Sequence, residues 1–192
     1  MMEQDAVFVS RELDIVELMI TSLPDYLVFD GIFYPLTGAS LPRLTLGSLL
    51  MRLYRLGAIA DSLEPDAAQR LKTACNRFAA LIPNNQVAIE QKAGAELDMR
   101  LQQWESANIE WRDKGAEEGF WQNNVEIRTI INALVSFLQK APFHVHVAQV
   151  EEMLATDSLW QAVWHSGPFV WAEVWEPAYP KAHYWWLYGE PG

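Results

Sequence analysis

Residues 86–140 constrain this fold more than any other stretch, because they carry two apolar faces that need each other. Ile89, Ala93, Leu97, Leu101, Trp104 and Trp111 follow three- and four-residue steps, with Asn108 interrupting the stripe. That period is one face of a helix over 86–114. Ile127, Ile130, Ile131, Leu134, Phe137 and Leu138 form a broader stripe on a second helix over 117–140, with Gly115 at the joint. Adjoining helices with such faces bury each other most simply as an antiparallel hairpin. The expected fold class is therefore all-α: one helical domain over 1–192, a bundle of five to seven helices around this long central hairpin.

Upstream, Val9, Leu13, Val16, Ile20 and Leu23 give a first helix over 7–23, entered at Asp5 or capped by Ser10 and ended by Pro24. Residues 25–35 turn aromatic and β-rich around Asp30-Gly31, a hairpin signal. A short β-hairpin over 26–34 is one expectation. A helix resuming at Asp25, with Leu27, Ile32 and Phe33 on the bundle, is the other. Thr45 caps a second helix over 45–63, whose Leu46, Leu49, Leu50, Leu53 and Leu56 face inward while Arg52 and Arg55 lie off the centre of that face. Pro65 opens a third helix to about residue 82, with Ala68, Leu71, Cys75 and Phe78 inward, and Pro83-Asn84-Asn85 breaks it.

After Lys140 the composition shifts. Residues 142–192 hold all four histidines and six of the nine tryptophans, with Lys181 as the only Lys or Arg. A helix at 147–155 and a short one capped by Asp157 are expected, then a turn at Gly167-Pro168. The segment 166–192 is too interrupted by proline for a long helix and is read as an irregular aromatic tail packing on the bundle. Large aromatics bury about 150–250 Å² each, which is too much surface to leave in water.

Charge and motif content exclude several function classes. A formal net charge of −11 opposes binding to nucleic acid or anionic lipid, both of which need clustered cations. No apolar run reaches the roughly 18 residues of a membrane span, and the N-terminus lacks the pattern of a signal peptide, so a cytoplasmic location is the default. The single cysteine, Cys75, allows no intramolecular disulfide and reads as a small buried hydrophobe. Neither Glu-x-x-His nor His-Glu-x-x-His occurs, and His144, His146 and His165 read as solvated or hydrogen-bonded, so no metal and no cofactor is expected. Gly38-Ala39-Ser40 begins like a nucleophile elbow, but Pro42 stands where the second glycine belongs. Phosphate-binding glycine loops are missing.

Two constellations remain. Glu96 and Arg100 are four apart on the first long helix, read as an exposed pair, or else as a half-buried pair that joins Arg128 and Glu126 across the hairpin in a polar seam beside Trp104. The tail aromatics, among them His183, Tyr184, Trp185 and Trp186, are a lid on the bundle, an exposed patch for a protein partner, or the wall of a pocket. Glu96, Arg100, Trp104, Arg128, His183, Tyr184, Trp185 and Trp186 are thus the candidate ligand- or partner-binding residues. The leading expectation is a non-catalytic interaction or scaffold protein, with an unknown protein partner or self-association. The alternative is a small-molecule-binding protein or enzyme with its pocket between bundle and tail.

Overall fold

A computed structural model describes residues 3–38, 41–115 and 120–192. Ser40 and the expected start of the second long helix at residue 117 lie outside the described residues. The fold is a helical bundle with a small antiparallel ribbon near its C-terminus. Its α-helices are α1 (Glu3–Val28), α2 (Leu46–Ala58), α3 (Pro65–Lys114), α4 (Phe120–Leu138) and α5 (Val147–Gln161). Strands β1 (Trp164–Phe169) and β2 (Tyr188–Pro191) form the ribbon.

The central hairpin is present. Trp104 of α3 meets Trp121 at one end of α4, and Phe78 meets Phe137 at the other, so the two helices run antiparallel. Ile89, Ala93, Leu97, Leu101 and Trp104 are buried on α3, against Ile130, Ile131, Leu134 and Leu138 of α4. The third expected helix and the first long one join as a single α3 with a kink at Asn85 (φ −128°, ψ 16°). Pro83 removes an amide donor just before it. The Asn85 side-chain amide donates to the Leu81 carbonyl at 2.8 Å, the acceptor that the local helix ladder would otherwise pair with the backbone N–H of residue 85.

Three local expectations are corrected. Pro24 does not end α1: it is exposed, and Leu23, Tyr26 and Leu27 around it are buried, so packing holds the last turn helical through Val28. This also removes the hairpin over 26–34. The carbonyls of Phe29 and Gly31 accept from Lys92 Nζ, and among the described residues the pairing that follows is a single bridge between Tyr34 and Leu44. Cys75 is exposed, and the neighbouring Ala74 takes the inward position on α3.

The C-terminal segment adds the ribbon, which the Gly167-Pro168 turn signal concealed. Trp164 pairs with Pro191, His165 with Glu190 and Ser166 with Gly189; an irregularity then absorbs Gly167 and Pro168 before Phe169 pairs with Tyr188. Gly189 has φ +123°, and a Cβ there would lie 2.0 Å from the His165 carbonyl oxygen, so this close approach requires glycine. Between the strands, short 3₁₀ turns at Glu173–Ala178 and Trp185–Leu187 fold the aromatics onto α2 and α4. Trp175, Tyr179, Tyr184, Trp186 and Tyr188 are buried there. No helix among the described residues is long and apolar enough to cross a membrane.

Candidate functional site

Glu96 is fully buried, which corrects its reading as half of an exposed pair. It reaches the N-terminal turn of α2, where the Gly47 amide donates to its Oε2 at 2.7 Å, and Arg100 Nε lies 3.5 Å from its Oε1. A carboxylate at that end meets unpaired N–H groups and the positive end of the helix dipole. Gly47 permits the approach, since a Cβ there would sit 2.5 Å from Ile130 and 3.0 Å from Glu96 Oε1. Arg100 also lies over the Phe33 ring at 5.4 Å. The pair ties Phe33 and the start of α2 to α3.

Burial raises the Glu96 carboxyl above its ordinary 4.5, although Thr45, the Gly47 amide and Arg100 pull it down. A folded acid with a raised pKa keeps a proton that the unfolded acid has lost. Its stabilising contribution is therefore full below the ordinary value and falls as pH climbs toward the raised one. Glu96→Gln is expected to flatten that fall, so the variant gains on the wild type in urea midpoints as pH rises above 4.5. A difference between the two proteins that stays constant with pH would assign the effect elsewhere.

Arg128 does not join Glu96, and Glu126 is exposed, so the expected polar seam does not form. Arg128 instead grips Asp157 of α5 with Nε and Nη2, at 2.7–3.0 Å, both side chains being at most 8% exposed. Trp104 Nε1 donates to the same carboxylate at 3.1 Å, and the Trp186 ring covers the guanidinium at 4.0 Å. Around this pair, Trp104, Trp121, Trp160, Trp164, Trp185 and Trp186 touch in an unbroken series of ring contacts. This buried hub fastens α5 and the C-terminal segment to the hairpin. Trp104, Arg128 and Trp186 are thus brought together, and Trp185 is half-buried at the edge. His183 is exposed in a turn after Pro180.

Tyr184 belongs to a different place. A groove of about 690 Å³ opens between α2, α4 and the C-terminal segment. Leu50, Leu53, Phe78, Ala133 and Phe137 give it an apolar floor; Tyr54, Tyr179 and Tyr184 line it, with Thr129, Asn132, Ser136, Gln139 and Lys140 as its other polar groups. The three tyrosine rings lie 5.0–6.1 Å apart. Asn132 Nδ2 donates to the Tyr184 hydroxyl at 3.3 Å. Burial, assisted by a hydrogen bond with Tyr54, pushes the Tyr184 phenol well above its ordinary 10.0. Burial raises Tyr179 as well, against the opposing pull of Arg55. Both therefore stay neutral O–H groups near neutrality. The Tyr179 hydroxyl is buried and has no hydrogen-bond partner among the described residues.

Helical periodicity could not single out Tyr54, Asn132 or Ser136, because each lies beside its helix's apolar stripe, as an ordinary surface residue would. Tyr54 is the one aromatic side chain of α2, which is the only cue. Among the described residues, no group of three or more His, Cys, Asp or Glu side chains is placed to hold a metal ion. Compared with protein-family profiles, with curated proteins and with solved structures, the chain matches none.

Proposed function

We propose that the chain is a small-molecule-binding protein whose site is the tyrosine-walled groove, rather than the scaffold that the sequence favours. The observation that carries this reading is the groove itself: about 690 Å³, with an apolar floor, three tyrosine rings in its wall and a few polar side chains at its edge. The volume suits a compact organic molecule. The chemistry of the lining selects the ligand. Aromatic and aliphatic side chains favour an apolar body, and Asn132, Ser136 and the tyrosine hydroxyls favour one polar edge. Lys140 is the only charged residue of the lining, so the ligand is neutral or carries one negative charge. The lining contains no Asp, Glu, His or Cys, which makes binding a better reading than turnover.

The test is titration with anilinonaphthalene sulfonate, a monoanionic apolar dye. Wild type is expected to bind it saturably. Ser136→Trp fills the groove from an exposed position and is expected to abolish binding with thermal stability nearly unchanged. Dye binding that survives Ser136→Trp at wild-type strength places the site elsewhere.

A further inference from the structure

We propose a second site, an anion pocket for small molecules bearing a dianionic oxyanion of the phosphate-ester class, in the basin between α1, α2 and the C-terminal segment. The basin has a volume of about 530 Å³ and shares no lining residue with the tyrosine groove. Arg52 and Arg55, three apart on α2, face Glu12 of α1, with Arg11 beside it. Arg52 Nη1 donates to Glu12 Oε2 at 2.6 Å, and Arg55 Nη2 donates to Oε1 of the same carboxylate. The two arginine side chains are only 10% and 11% exposed, and that of Glu12 is 6% exposed.

The charges do not balance. One carboxylate faces two largely buried guanidiniums, and Arg11 adds a third positive charge at the exposed edge. One buried guanidinium is thus left without a counter-charge, beside a further exposed cation, in a chain whose net charge is −11. Uncompensated buried charge is strongly unfavourable, and a dianion would neutralise it. Guanidinium forks match the tetrahedral oxygens of a phosphate group in geometry as well as charge. Aromatic packing fixes the arrangement, since Arg55 sits 4.6 Å over the Trp175 ring. Trp175 and the exposed Phe8 offer apolar surface to the organic part of the ligand. A single basin of this size fits one head group and not a nucleic-acid backbone, which needs an extended cationic track.

The experiment is isothermal titration of the whole chain with phenyl phosphate, with inorganic phosphate and benzoate alongside it. Phenyl phosphate is expected to bind at one site and raise the Tm; benzoate, a monoanion, is expected to bind at least about tenfold more weakly. Arg11→Gln alters an exposed residue and is expected to weaken phenyl phosphate about tenfold with the fold intact. Arg55→Gln is expected to abolish binding, and near-ultraviolet circular dichroism checks that this variant folds. Ser136→Trp is expected to leave phenyl phosphate binding unchanged, which separates this site from the groove. Absence of heat and of a Tm rise with phenyl phosphate overturns the proposal. So does equal affinity for benzoate, or wild-type affinity in Arg11→Gln.

Discussion

Asp157→Ala is expected to lower the stability of this protein by about 3–5 kcal/mol, the penalty of leaving a buried partner charge alone. The substitution strips Arg128 of its bidentate acceptor and Trp104 Nε1 of the carboxylate it donates to in one step. Arg128 has no route to water, being 4% exposed beneath the Trp186 ring. For a chain of this size the Tm should drop by roughly 10 °C. The double variant Arg128→Met, Asp157→Leu removes both charges and is expected to recover most of the loss, because well-packed apolar replacements of buried ion pairs are often neutral or stabilising. Urea unfolding of the three proteins measures both effects. A cost below about 1 kcal/mol for Asp157→Ala would mean that the pair does not hold α5 to the hairpin.

Trp186→Ala is the second large effect, at about 3–5 kcal/mol for truncating a fully buried tryptophan. Its ring covers Arg128, its Nε1 donates to Thr129 Oγ1 at 3.0 Å, and its carbonyl accepts from Trp121 Nε1 at 3.1 Å. It is 1% exposed. Trp185→Ala, one residue earlier and half-buried against Trp164 and Trp186, should cost roughly half as much, in proportion to the area it buries. The comparison separates a C-terminal segment that is part of the core from one that only rests on it. Equal small effects at both positions would support the second description.

Periodicity made the central hairpin legible, because the stripe from Ile89 to Trp104 and the one from Ile127 to Leu138 report burial directly. Rules for local breakers did worse. Pro24 and Asp30-Gly31 carry strong signals, yet Tyr26 and Leu27 are buried and Lys92 binds the two carbonyls that follow. The second answer comes from a residue far away in the sequence, and the first from tertiary burial that a local breaker rule does not weigh. Gly167-Pro168 concealed a strand because the pair falls in a ribbon irregularity, where a missing amide is tolerated. The polar pairs were the least legible. Arg128 and Asp157 are 29 residues apart on different helices, and Glu12 and Arg52 are 40 apart, so no short-range spacing announces either pair. Of the groove's polar wall, Tyr179 and Tyr184 are within reach of the sequence, as members of the aromatic tail; Asn132 and Ser136 on α4 sit at the margin of an apolar stripe.

The groove is the centre of the functional account, and native mass spectrometry tests it most directly. Wild type and Ser136→Trp would be expressed side by side, purified without tag or chelator, and sprayed under identical conditions. The account predicts that wild type carries the added mass of a compact organic molecule and that Ser136→Trp is bare. Identical spectra for the two proteins, whether both bare or both loaded, would contradict it.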